Sequence, residues 1–402
     1  MSVNTIPVHL KRHEFNPDPG LNLLRESEPL SRLTMPNGVR IWLATDHGLI
    51  RQVLATPETF GSNGEGWQDP ANGGPTPTLP PAQPHELHGN ITEYNPPEHA
   101  RLRRLLVREF GAGRVRAMRP MVEGIIDNSL DDMMRAGSPA DLIEHVAMPI
   151  PSLVICELLG VPYHDRTEFQ RRSRDRFDTR LPVSVRSRAF QESRSYMQEF
   201  VADQRVTPGH GIIGSLIREH GAKLADHELV GVGDILLLGG YETTAHMIGL
   251  GTLLLLRTGG YWDGLRDGRD VEDIVEELLR YLCVVQTGVP RVVHHDVELG
   301  GQLLRAGERV LCSLPSANRD RSVFGPDADE FNPARGSRGH VAFGHGIHYC
   351  LGASLARLEM QLAFPALARR FPKLRLDQEG VPLQFRQASA VFGLDSFPVR
   401  WD

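Results

Sequence analysis

The chain has 402 residues, 40% hydrophobic and 23% charged. That is ordinary globular composition, which excludes a disordered polymer, and it is long enough to bury a core without disulfide or metal staples. Its net charge of −6 offers no basic footprint for nucleic acid, and its 40 Gly and 29 Pro follow no fixed period, so collagen is excluded as well.

Along the chain, residues 39–44 alternate as a strand, and residues 47–54 read as a short helix stopped by Thr56-Pro57. Residues 61–97 are dense in Gly and Pro, a length of irregular chain that is often functional but also fits a linker between domains. Helical periodicity then dominates. The spacing predicts a helix over 98–110, capped by Asn95 with Pro96 and Pro97 in its first turn. Further helices are predicted over 118–136, 150–159, 165–177, 187–204, 212–219, 226–257 and 271–282. Residues 290–312 alternate around Gly300-Gly301 and Gly307 as short hairpins. A helix over 351–370 and strand-like runs at 383–385 and 398–401 close the chain. The fold class is therefore mainly α with small β-sheets (α+β). No break resembles an interdomain linker.

Four cysteines, Cys156, Cys283, Cys312 and Cys350, lie far apart with no C-x-x-C spacing, which fits a reducing cytoplasm better than a disulfide framework. The first twenty residues show no apolar signal segment. The most apolar stretch, 235–256, contains Glu242 and His246 and reads as a buried helix, not a membrane span. A soluble, cytoplasmic protein is expected.

The most informative segment is Phe343-Gly344-His345-Gly346-Ile347-His348-Tyr349-Cys350-Leu351-Gly352. Glycines allow a tight loop and close approach of backbone to a flat ligand. Cys350 precedes an apolar helix, whose unpaired N–H groups and dipole favour a thiolate. A lone thiolate on such a loop suits one face of a haem iron. A dinucleotide loop is excluded because Tyr349 stands where a third glycine belongs, and no second nearby cysteine supports zinc.

This segment resembles the haem-binding signature of bacterial cytochromes P450, F-G-x-G-x-H-x-C-x-G, at every fixed position. Only Lys11, Lys223 and Lys373 among the 44 cationic residues are lysine, a bias in keeping with a GC-rich actinomycete-type source. The resemblance, from about residue 14 to 401, implies the cytochrome P450 fold, a triangular helical prism around a haem. It implies one domain over 1–402, with 61–97 roofing the substrate pocket and no fused reductase.

It also assigns residues. Cys350 becomes the axial ligand of the haem iron, with Phe343, Gly344, Gly352 and His348 around it. Glu277 and Arg280, at i, i+3 on one helix face, become a structural pair joined by Arg335. His99 and Arg103, at i, i+4, with Arg291 and His348, bind haem propionates; Asn95 stands where the family usually has Asp. In Gly239-Gly240-Tyr241-Glu242-Thr243-Thr244, two glycines cost roughly 1 kcal/mol each in a helix interior, and an acid sits in an apolar run. By resemblance the helix opens there, Thr243 hydrogen-bonds dioxygen and Glu242 relays protons. Ile235, Leu238, Gly239, Thr287, Val289, Val391 and Phe392 are expected to line the substrate pocket.

The implied activity is insertion of one oxygen atom of O2 into a hydrophobic small molecule, a natural product of secondary metabolism or alternatively a fatty acid. Haem b is the implied cofactor. Electrons come from NAD(P)H through a reductase and a ferredoxin, which docks near the arginines between Arg101 and Arg119. A monomer with no nucleic-acid or membrane partner is expected. A peroxide-driven peroxygenase and a non-catalytic haem-thiolate recruitment module are the rivals, and both types usually lack an acid–alcohol pair such as Glu242-Thr243. His85-Glu86-Leu87-His88 is one residue short of zinc-protease spacing, so it cannot present two His at i, i+4, and His294-His295 would point to opposite faces of a strand, so at most one of them could be a ligand.

Overall fold

Helix Glu242–Thr258 is buried from residue 244 through 255, which marks it as the central element of the fold. Packed around it are helices Pro149–Leu159, Val271–Leu282 and Ala353–Arg370 and a π-turn at Ile143–Ala147. Helix Arg119–Ala136 covers Pro149–Leu159 and Ala353–Arg370 from outside. Met247, Ile248, Leu250, Leu278 and Phe364 meet in the largest apolar cluster. Removing a ring such as Phe364 from a core of this density costs about 3–5 kcal/mol. This computed structural model describes residues 7–35, 38–62, 89–377, 383–387 and 389–402.

A second helical layer consists of Arg166–Phe177 and Val183–Val206 packed on each other, with Val183–Val206 lying on Asp226–Gly239. One buried ion pair ties the three together. Arg176 donates two hydrogen bonds to Asp234, at 2.7 and 3.1 Å, and Ser193 donates a third at 2.6 Å. Arg176 and Asp234 are both buried, so each charge is matched where water cannot solvate it.

To one side lies a five-stranded sheet in the order Leu30–Thr34, Arg40–Ala44, Arg309–Cys312, Val289–Val293, Phe60–Gly61. Strands Arg40–Ala44 and Arg309–Cys312 run parallel with Val310 opposite Trp42, and the other pairings are antiparallel. A small three-stranded sheet joins Arg375–Leu376, Pro398–Arg400 and Ala140–Asp141. The mainly helical class with small sheets read from the sequence is the class observed.

Several details differ from the sequence reading. The helix expected over 226–257 is two, Asp226–Gly239 and Glu242–Thr258, divided at Gly240-Tyr241. The helix expected over 98–110 ends at Leu106, and Asn95 does not cap it: the Asn95 side chain accepts instead from the Ser62 N–H at 2.8 Å. Residues 383–385 form no strand, because Phe385 makes only an isolated bridge to Leu394. Helices Pro19–Ser27 and Ala112–Ala117 and strand Leu30–Thr34 were not anticipated. Of the proposed roof 61–97, residues 63–88, including His85 and His88, lie outside the described residues.

Candidate active site

The loop that carries Cys350 turns through two left-handed glycines, Gly344 at φ 72° and Gly346 at φ 71°. A side chain at 346 would meet the Leu54 carbonyl at 2.1 Å, so this position admits only glycine. The Cys350 N–H donates to the Phe343 carbonyl at 2.9 Å, which closes the loop. Helix Ala353–Arg370 begins three residues after the cysteine, and the N–H groups of Gly352 and Ala353 point at the sulfur. Cys350 itself is exposed, open on the side a ligand would approach; desolvation by the protein packed around the loop raises its thiol above its ordinary value, while those N–H groups, Arg103 and Arg357 pull it down. A bound metal cation would tip this balance fully to the thiolate. Gly344 and Gly352 have open space on the side where a Cβ would project.

Four cation-capable side chains converge beside this loop. Arg103 donates to the Tyr349 carbonyl at 2.6 Å, and the rings of His99 and His348 lie 4.3 Å apart. Arg291 is close enough to act electrostatically on both histidines. His348 Nε2 contacts the Ser62 hydroxyl at 3.0 Å, whereas His99 Nε2 is buried without a partner among the described residues. Burial, with Arg103 and Arg291, lowers His99 to about 4. Burial, Arg291, His99 and Arg103 lower His348 to about 3. Such mutual repulsion is relieved by an anion, and an orphaned buried nitrogen calls for an acceptor. The chemistry therefore fits a haem whose propionates meet His99, Arg103, Arg291 and His348 while Cys350 takes the iron.

Glu277 and Arg280 are fully buried. Arg280 gives Nε and Nη2 to the two Glu277 oxygens, both at 2.7 Å. Its remaining N–H groups reach the carbonyls of Asn318, Ala328 and Glu330 at 2.7–2.9 Å, so all five donors are used. Glu277 also accepts from the Asn332 N–H at 2.8 Å and from the Ser337 hydroxyl. Arg335 does approach Glu277, at 3.6 Å, but its short contact is to Asp327 at 2.7 Å. The third arginine thus joins this network from its edge.

At the helix division, Thr243 donates to the Gly239 carbonyl at 2.8 Å, replacing the backbone bond lost where the helix breaks. Gly239 is exposed and Thr243 partly so, while Glu242 beside them is fully buried. Glu242 Oε2 accepts from Arg386 at 3.3 Å, and the same guanidinium meets His246 Nε2 at 2.8 Å. Burial pushes the Glu242 carboxyl up, against Arg386 and Arg174. The partnership with Arg386 was not foreseen, because 144 positions separate the two residues. His246 left a trace, a second polar residue one helical turn after Glu242 in an apolar run.

Of the expected pocket residues, Ile235, Gly239 and Val289 present accessible surface; Leu238, Thr287 and Val391 present very little. Phe392 is a correction: it has no exposure, stacking on Phe385 at 5.7 Å beneath the Arg12 guanidinium. It belongs to the core because the chain there turns its ring inward. The arginine cluster is also partly neutralised. Arg101 pairs with Glu228, Arg114 with Glu109 and Arg119 with Glu123, while Arg104, Arg108 and Arg116 are exposed without a carboxylate partner among the described residues. No helix among the described residues is long and apolar enough to cross a membrane, and no cluster of three or more His, Cys, Asp or Glu there could hold a metal.

The model of the family described as Cytochrome P450 matches residues 271–398. Cytochrome P450 165B3 of Amycolatopsis orientalis is 39% identical over 399 residues, covering 98% of both chains. The structure of StaH, a P450 from biosynthesis of the glycopeptide antibiotic A47934, superposes with a TM-score of 0.86 at 41% identity, covering 99% of this chain and 100% of that one. OxyB from teicoplanin biosynthesis, solved in complex with an X-domain, gives 0.83 at 40% identity, with 99% and 100% covered. With a thiol loop, a cationic cradle and a divided central helix in one fold, and this likeness over its whole length, the chain belongs to the cytochrome P450 family and is a haem-dependent monooxygenase.

Proposed function

We propose that this monooxygenase, working as one haem b domain in the cytoplasm, hydroxylates or epoxidises a hydrophobic, peptide-derived natural product. The observation that carries the haem assignment is the Cys350 sulfur under two helix N–H groups beside His99, Arg103, Arg291 and His348. When bound there, haem supplies activation of O2 and transfer of one oxygen atom. The substrate class is supported by the likeness to P450s of glycopeptide antibiotic biosynthesis and by the apolar Ile235 and Val289 with exposed Gly239.

The chain's own residues divide the remaining work. Thr243, whose one O–H is given to the Gly239 carbonyl, presents its oxygen at the helix break as an acceptor for a proton on its way to the oxygen site. Glu242 exchanges protons behind it. Electrons from NAD(P)H arrive through a ferredoxin and its reductase, the acidic ferredoxin resting on Arg104, Arg108 and Arg116. The retained Glu242-Thr243 pair favours this route over peroxide-driven turnover or a non-catalytic role.

Two measurements test the proposal. Reduced protein with CO is expected to show the red-shifted Soret band of thiolate ligation, and Cys350→Ala to lose it; a band unchanged by that substitution overturns the ligand assignment. A spectral titration with linear peptides, macrolides, terpenoids and fatty acids is expected to shift the iron spin state with peptides. Shifts with fatty acids alone overturn the substrate class.

A further inference from the structure

The buried face of the helix break contains polar groups that the sequence left unlinked. Arg386 is 3% exposed and emerges from the segment around 385–394, where its N–H donates to the Gly393 carbonyl at 2.9 Å. Its guanidinium reaches three groups: Glu242 Oε2 at 3.3 Å, His246 Nε2 at 2.8 Å and Asp395 at 3.7 Å. His246 is fully buried, and Gly393 lies so close that a side chain there would stand 2.1 Å from His246 Nδ1. The glycine is therefore what lets this segment bring Arg386 against the central helix. His246 accepts from Arg386, so its proton sits on Nδ1, and burial with Arg386 and Arg174 holds its imidazole well below the ordinary range. It is thus a neutral acceptor for the guanidinium and not a proton carrier.

Two features show what this arrangement does for Glu242. Oε2 is the oxygen held by Arg386, while Oε1 is buried with no hydrogen bond among the described residues, Ser173 being the hydroxyl that faces the carboxyl. Arg386 continues to Asp395, whose side chain is 39% exposed, so the network spans from the break to the surface. The other groups facing Glu242 are Arg174 and Ser173 on helix Arg166–Phe177 and Tyr241 before the break. Asp178 also lies within electrostatic reach of Arg386. Among these, Arg386 is the cation in hydrogen-bond contact with Glu242.

We propose that Arg386, anchored by His246, is the positioning residue of Glu242: it fixes one carboxylate oxygen and leaves Oε1 as the atom that takes up and releases the proton. This rests on the reading of Glu242 as the proton relay. The carboxylate gains a proton from solvent on Oε1, gives it up toward Thr243 and returns to its ion pair with Arg386 unchanged.

The test uses the holoprotein. Protonation of Glu242 is followed by the infrared carboxyl band that disappears in Glu242→Gln. Arg386→Gln is expected to move the midpoint of that band upward by about 1–3 pH units, the effect of removing an opposite charge at contact distance. Arg386→Lys, which keeps the charge, stays near the parent value. A second readout is oxygen consumption with NADPH, a plant-type ferredoxin and its reductase. Arg386→Gln and Glu242→Gln are each expected to slow it roughly tenfold or more, and the double variant no further. An unmoved infrared midpoint in Arg386→Gln, or equal slowing in the Glu242→Gln background, overturns the proposal. If Arg386→Gln does not fold, His246→Gln, which loosens the anchor, must raise the midpoint or the proposal falls. Undiminished oxygen consumption in Glu242→Gln sinks the relay reading itself, whereas normal slowing there with an unmoved Arg386→Gln midpoint sinks this inference alone.

Discussion

Glu359 stands in helix Ala353–Arg370 with 2% exposure, and its Oε2 has no partner among the described residues. Burial alone pushes its carboxyl well above the ordinary range, with no cation among the described residues opposing it. Glu242, buried to the same degree, differs because Arg386 opposes the rise. The sign of the consequence for stability follows from linkage. The unfolded chain releases the Glu359 proton near an ordinary carboxyl value and the folded chain retains it. Stability is therefore lost as pH climbs from the unfolded value toward the raised folded one, by about 1.4 kcal/mol per unit. Glu359→Gln, which mimics the neutral acid, is expected to flatten this slope and to be more stable than the parent at pH 8; urea unfolding at pH 5 and pH 8 measures it, and an unchanged slope refutes it.

At the level of elements, the strongest constraint is the clasp that helix Val271–Leu282 makes on the segments before the Cys loop. Arg280 binds the carbonyls of Asn318, Ala328 and Glu330, and Glu277 binds the Asn332 N–H, so one ion pair holds four backbone sites. Removing one partner leaves the other buried and uncompensated, at about 3–5 kcal/mol. Lysine keeps the charge but has three donors instead of five in a planar fork. Arg280→Lys is therefore expected to lower stability, by less than outright loss of the partner but measurably for the carbonyls left unmatched, and to release haem on dilution. A chemical denaturation curve and the haem-to-protein ratio after gel filtration check both effects; a variant as stable as the parent contradicts the assigned role.

For the molecule as a whole, the overall charge is negative while three arginines, Arg104, Arg108 and Arg116, remain exposed without a carboxylate partner among the described residues. A local patch of one sign steers an oppositely charged partner, and salt weakens it over a Debye length of about 8 Å at physiological strength. Reversing all three to glutamate is expected to slow reduction by an acidic ferredoxin at least tenfold at low salt and to invert its salt dependence, since salt then screens repulsion, with substrate binding spectra unchanged. Stopped-flow reduction at low and high salt decides it. Replacing Arg101 and its partner Glu228 together by glutamine, which leaves the local charge unchanged, is expected to have little effect on the same rate.

The local sequence carried the helical class, the glycine-flanked cysteine loop and the pairing of Glu277 with Arg280, because each depends on spacing within a few residues. His99 and Arg103 were legible for the same reason, one helical turn apart. The break at Gly240-Tyr241 was legible as a cost, two glycines and an acid inside an apolar run. Tertiary structure decided the rest. It turned Phe392 into the core, moved the Asn95 side chain from a helix cap to Ser62, and spent Arg101 and Arg114 on ion pairs with Glu228 and Glu109. It also brought Arg386 to Glu242 across 144 positions. Periodicity reports which side of an element is apolar. Which charge meets which depends on how those elements pack, and no short window of sequence contains that.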